Sequence, residues 1–215
     1  MASPLLRAIQ GGLESLYRVT TELDVGDFLI DDAERRTVSL ARTPGEQLLL
    51  HEADGVVSVG LYVDDEALDR LRRRDPRVRL DDDNLADFML ALEGVSHFVY
   101  VASRARVERA VSAVELELQA EVDKWAVALL VTWDQRGAPP ADLRARLFRR
   151  VRLLPDLSAE EHDRYALANE AANGYAASLE ARFVHRRAVD ELREELRRFY
   201  QEGLAGKLGR IARAA

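Results

Sequence analysis

Glu93 and His97 stand four residues apart in a stretch of helical periodicity, so they share one helix face. A carboxylate and an imidazole at that spacing can hold a metal ion or pass a proton. They can equally form a solvated pair worth about 0.3 kcal/mol. The His-Glu-x-x-His signature of metalloproteases and the Glu-x-x-His spacing of di-iron bundles are both absent. Glu115 falls on the flank of the next apolar stripe, beside Val122, where a carboxylate needs a partner because burying it alone is costly. Arg104, Arg106 or a C-terminal arginine could supply one. Glu93, His97 and Glu115 are therefore the candidates for a metal- or acid-assisted hydrolase. Glu117, Glu121 and Lys124 fall on the far side of that helix, where a solvated face with an ion pair is expected.

Tyr62-Val63-Asp64-Asp65 resembles the tyrosine-x-Asp-Asp motif of reverse transcriptases, whose carboxylates hold the metal ions that activate a primer hydroxyl. In that family the motif lies between two strands. Here it runs straight into Glu66-Ala67-Leu68, a helix start, where acidic residues complement the helix dipole. The expectation is a helix cap that holds no catalytic metal. No Gly-x-Gly-x-x-Gly occurs, and Gly203 to Lys207 lacks P-loop spacing. Gly55 to Gly60 is not a nucleophile elbow. His51, His97, His162 and His185 are far apart and never at zinc-ligand spacing. The residues call for no resident metal and no cofactor.

The elements that must position these groups follow from periodicity. Residues 5–23 read as an amphipathic helix, with Leu5, Ile9, Leu13, Leu16 and Tyr17 in register. Residues 36–41, 47–51 and 56–63 read as strands, with 28–30 as a fourth. Residues 65–74 form a short helix stopped by Pro76, and residues 85–109 a long one. Ser112 with Glu115 and Ser158 with Glu161 open two further helical segments as capping boxes. Residues 142–152 make a short basic helix between them. The fold class is α+β: a small antiparallel sheet of three or four strands in the N-terminal third, then a helical bundle. Residues 1–80 form the first part and 81–215 the second, packed together as a single domain.

Composition narrows the function. The 215 residues carry 47% apolar and 32% charged side chains, enough for a real core and against disorder. The absence of cysteine excludes disulfides, thiolate metal sites and thiol nucleophiles. Neither a signal peptide nor a membrane-spanning run is legible, so a cytoplasmic protein is expected. The net charge of −7 is uneven, at −9 over residues 1–95 and +2 over 96–215. An acidic chain is a poor phosphate binder. Nucleic-acid binding therefore ranks third, through Arg144, Arg146, Arg149, Arg150 and Arg152 in segment 144–152.

The last helical pattern reverses its apolar direction. Tyr165, Ala168, Ala172, Tyr175, Ala176, Leu179 and Phe183 lie on one side, and Ala188, Val189, Leu192, Leu196 and Phe199 nearly opposite. Either the chain bends near 182–187 or its end docks elsewhere. On that basis a non-enzymatic binding or regulatory protein is expected, engaging a protein partner or a second copy of itself. Leu192, Leu196, Phe199 and Tyr200 would be its anchors, with Arg193, Arg197 and Arg198 at the rim.

Overall fold

The computed structural model describes residues 4–38, 44–53, 56–149 and 158–214. Helix α1, Pro4–Tyr17, buries Leu5, Leu6, Ile9, Leu13, Leu16 and Tyr17 along one stripe. Proline suits its first position because that N–H has no partner in a helix anyway. A 3₁₀ turn follows at Val25–Phe28, capped by the Asp24 carboxylate, which accepts from Gly26 N.

The sheet is smaller than the alternation implies. Only two strands form among the described residues, β1 (Glu46–Ala53) and β2 (Val56–Val63), paired antiparallel from Glu46↔Val63 to Ala53↔Val56. The strand expected at 28–30 contributes one parallel bridge, Leu29 to Leu61. The strand expected at 36–41 is instead the end of helix α2, Asp32–Val38, with residues 39–41 outside the described set. Local chemistry explains the correction. Asp31 Oδ1 accepts from Glu34 N at 2.8 Å, and Glu34 Oε2 accepts from Asp31 N at 3.0 Å, a reciprocal cap. Arg35 and Arg36 then both reach back to Asp32, at i+3 and i+4. These signals outweigh the period of two across Thr37 and Val38.

Helix α3, Asp65–Arg73, opens as expected, with Asp64 Oδ2 accepting from Ala67 N at 3.0 Å. Asp64 is thus a helix cap. The long helices are α4 (Leu85–Ala105), α5 (Ala113–Arg136) and α6 (Ala159–Leu179), followed by α7 (Val189–Gln201) and α8 (Leu204–Ala214). By length and composition α4 could cross a membrane, but 67% of its most apolar window is buried inside the fold. It is the central core helix, contacted by α1, α3, α5 and both strands.

A two-stranded hairpin is marginal by itself, and this one is anchored at its base. Val56 and Val57 are exposed, whereas Leu61, Tyr62 and Val63 are buried against α4. Gly94 makes that approach feasible. A Cβ there would lie 3.0 Å from Leu61 Cδ1 and 3.2 Å from Glu46 Oε2.

The reversal in the last helical pattern is resolved by a bend. α6 ends in a π-helical turn at Glu180–Val184, and Arg187 takes a left-handed backbone (φ 57°) before α7 begins. Both stripes then face the same interior, with Tyr175 stacked on Phe199 at 4.3 Å. One apolar core runs from Leu5 to Tyr200 through every helix from α1 to α7 except α2.

Candidate metal centre

Helices α4 and α5 form an antiparallel pair, and each carries polar residues on two sides. On α5, Glu117, Glu121 and Lys124 follow one another at i, i+4 and i+7. Glu115, Gln119 and Asp123 follow at i, i+4 and i+8 on the opposite side. Glu115, Glu117, Gln119 and Asp123 are buried, and Glu121 and Lys124 half-buried. The expected solvated face of Glu117, Glu121 and Lys124 therefore does not exist. Helix α6 packs on α5, and only the Lys124–Glu121 ion pair survives from that reading.

On this side, Glu93 and His97 of α4 meet Glu117 of α5, and one ligand atom from each lies within 4.8 Å of the others. Glu46, the first residue of β1, stands on the other side of the imidazole. His97 Nε2 is 3.6 Å from Glu117 Oε2, and His97 Nδ1 is 3.7 Å from Glu46 Oε2. Both separations suit an ion pair and exceed a hydrogen bond. Lys124 Nζ closes the group at 3.0 Å from Glu93 Oε2 and 2.6 Å from Glu121 Oε1, and Arg164 of α6 reaches Glu117 at 3.7 Å. Three buried polar atoms here make no hydrogen bond: Glu46 Oε2, His97 Nε2 and Arg164 Nε. His97 is only 5% exposed.

The electrostatics are those of carboxylates crowded out of water. Burial raises the Glu46 carboxyl above its usual range, partly offset by His97. It raises Glu121 as well, against the pull of Lys124. Partial burial acts on half-buried Glu93 in the same sense, but Lys124 and His97 bring its carboxyl below the usual value. Burial disfavours the imidazolium of His97, yet Glu117 and Glu46 outweigh it and hold the group well above its ordinary pKa. The Tyr165 phenol is pushed up to about 12, first by burial and then by Glu117.

Glu115 does not join this group. Its carboxylate turns to the other side of α5, where it accepts from Tyr100 Oη at 2.5 Å, from Arg109, and from Leu204 N at 3.1 Å. Its partner is thus Arg109, not Arg104 or Arg106. Asp123 lies on the same side and accepts from Tyr17, from Ser96 Oγ at 2.6 Å and from Gln119 Nε2 at 2.7 Å. Gln119 in turn accepts from Lys207, whose ammonium lies 4.4 Å from the Phe199 ring and 4.8 Å from that of Tyr100. Burial pushes Asp123 up to about 6 and Lys207 down to about 7.

The anticipated partner surface is placed inside the fold. Leu192, Leu196 and Phe199 are 0% exposed and Tyr200 is 1% exposed, packed among α1, α6 and α8. Of its rim, Arg193 and Arg198 are exposed and Arg197 donates to Leu16 O at 2.7 Å. In the arginine-rich segment, Arg144 is committed to Glu180 and Asn173, and Arg146 to Asp82. Arg149 is exposed, and Arg150 and Arg152 lie outside the described residues.

Glu46, Glu117, Glu121, Lys124 and Arg164 are the members that the sequence reading missed. One signal was present. Glu93/His97 and Glu117/Glu121 are two i,i+4 pairs flanking the short connection between α4 and α5, and an antiparallel hairpin brings them within about one helical turn of each other. Nothing local to residue 46 points to Glu46.

No protein-family model matches the chain, and neither a curated protein nor a solved structure does so. The functional reading therefore rests on this geometry.

Proposed function

We propose that the chain is a divalent-metal protein whose centre is formed by Glu93, His97 and Glu117. The observation that carries this reading is His97 Nε2, an imidazole nitrogen without a hydrogen bond, 95% buried and set among carboxylates. Buried polar groups are nearly always satisfied, and an orphan at the focus of potential ligands marks a place where a partner is missing. Bonds of about 2.1 Å from a metal to nitrogen and oxygen place neighbouring ligand atoms roughly 3 to 4 Å apart. The 3.6 Å between His97 Nε2 and Glu117 Oε2 is in that range. Imidazole with carboxylates and no thiolate favours manganese, iron, cobalt or zinc over calcium and magnesium.

Three protein ligands leave coordination positions for water, the arrangement of catalytic rather than structural sites. Water held there would be acidified, the chemistry that metal-assisted hydrolysis uses. Glu46, behind Nδ1, would fix the orientation of the His97 ring. This favours the hydrolase alternative, with Glu117 replacing Glu115 in its residue set. The partner-binding reading has lost its apolar anchors to the core, and the nucleic-acid reading two of its arginines to ion pairs.

The test is equilibrium dialysis of the whole chain against Mn(II) and Zn(II), with metal analysis. One ion per chain is expected. Glu93→Gln, His97→Gln and Glu117→Gln should each weaken binding by at least about tenfold, with the helical circular dichroism unchanged. Glu115→Gln should leave affinity as it is. A wild-type chain that retains no metal, or a Glu115→Gln variant as impaired as Glu117→Gln, would defeat the assignment.

A further inference from the structure

The donor set is larger than one ion needs. Helix α4 offers Glu93 and His97, helix α5 offers Glu117 and Glu121, and β1 adds Glu46. Two i,i+4 pairs facing each other across a helix pair could serve two ions that share a carboxylate. A lysine stands in the middle of them.

We infer that this centre is mononuclear because the Lys124 ammonium sits where a second metal ion would, and that removing its charge opens that second site. The inference rests on the metal reading proposed above. Lys124 Nζ contacts one oxygen of Glu93 and one of Glu121, at 3.0 and 2.6 Å. Its side chain is 13% exposed, and those of its two partners are 20% and 15% exposed. Glu93 thus belongs to both halves of the group: it faces the ammonium and also lies among the three candidate ligands. A carboxylate shared by two cations is the usual bridge of a two-metal site. Here one cation is built into the chain.

Lysine suits that place because its ammonium is a compact point charge with three donors and no acceptor. It neutralises buried carboxylates as an ion does, but it offers no open coordination position and cannot be released. Without it, Glu93 and Glu121 would be left side by side without a cation, a costly state that protonation or a bound ion must relieve. Methionine fills nearly the same volume without charge. In Lys124→Met the two carboxylates therefore become ligands for a second divalent ion, with Glu93 in the bridging position.

Mn(II) is the probe, because free and bound ions are distinguished by electron paramagnetic resonance and two bridged ions couple magnetically. The expected stoichiometries are one ion for the wild type, two for Lys124→Met, one for Lys124→Arg and one for the double variant Glu121→Gln/Lys124→Met. The second ion of Lys124→Met should also bring an exchange-coupled signal. Should Lys124→Met fail to fold alone, circular dichroism during the Mn(II) titration replaces that readout. Helix should then return as two ions bind, and failure to return overturns the inference. A wild type that binds one ion with a Lys124→Met that also binds one refutes the inference and leaves the metal centre standing. A wild type that binds two also refutes it. A wild type that binds none removes the centre itself, and the inference with it.

Discussion

Helix α5 separates two buried polar groups that differ in how far their hydrogen bonds are met. On one side Tyr17, Ser96, Gln119, Asp123 and Lys207 are joined by hydrogen bonds into a closed network, with Glu115, Tyr100 and Arg109 beside it. Arg104 Nε and Glu202 Oε2 at its edge are exceptions, although Arg104 Nη2 bonds to Tyr200 O and Glu202 Oε1 accepts from Arg210. On the other side, Glu46, His97 and Arg164 each keep an atom without a hydrogen bond. Both groups are buried, so burial by itself does not mark function. Unmet hydrogen-bonding capacity does, because a fully satisfied network rigidifies a core and a half-satisfied one needs a partner.

If that contrast holds, the same kind of cut should have opposite effects on the two sides. Asp123→Ala should produce the largest loss of stability. It leaves the Tyr17 and Ser96 hydroxyls and the Lys207 ammonium without their acceptor or counter-charge, at a cost of about 3 kcal/mol or more. Urea unfolding measures this, and metal affinity should be unaffected. His97→Gln, whose Nε2 makes no hydrogen bond and faces Glu117 only at ion-pair distance, should cost less. If it cost as much as Asp123→Ala, the comparison would be broken.

The closed network should also carry a pH signature. Lys207 has a folded pKa near 7, below its unfolded value of 10.5, because burial outweighs the attraction of Asp123 and Glu115. Between those values the unfolded chain binds more protons, so this group makes stability rise with pH. Below about 7 the penalty of the buried ammonium is present in full. Lys207→Met removes the titration. Its stability relative to wild type should therefore be highest below pH 7 and decline towards pH 10, by up to about 1.4 kcal/mol per unit. A difference that does not vary with pH would show that Lys207 titrates alike in both states.

The smallest effect should come from Gly94→Ala. The new methyl carbon would crowd Leu61 and the Glu46 carboxylate and shift the base of the hairpin, at roughly 1 to 2 kcal/mol. It should weaken Mn(II) binding as well, because Glu46 backs the His97 ring. Loss of stability without a change in metal binding would show that Glu46 has no part in the centre.

The sequence made the helices legible because caps and apolar spacing agree in them. Ser158 and Glu161 form the reciprocal cap that their spacing implies, and Asp64 caps α3. It overstated the sheet because alternation over residues 36–41 carried no weight against the cap at Asp31 and Glu34. The site was half legible. Glu93 and His97 were recognisable as a pair, but α5 was read with one apolar stripe and a wet back. A helix buried on both sides, with polar residues on each, breaks that rule. Which carboxylate faces which network is a matter of angle: Glu115 and Glu117 differ by about 200° around the axis. Glu46 depends on a hairpin packed over a glycine, a contact between residues far apart in the chain.

The contact of α1 with α7 bears on how the molecule is assembled. Tyr17 stacks on Tyr200 at 4.0 Å, and Arg197 donates to Leu16 O. Each joins segments about 180 residues apart, and the tyrosine pair touches both Asp123 and Lys207. The entropy of closing so long a loop must be met before these contacts return anything. Helices α4 and α5, joined by a short connection, can pair early, and the tyrosine stack is expected among the last events of folding. Interactions made after the transition state govern how fast the native state is lost rather than how fast it is reached. Tyr200→Leu should thus accelerate unfolding and leave refolding nearly unchanged, which gives the aromatic seam the role of a latch.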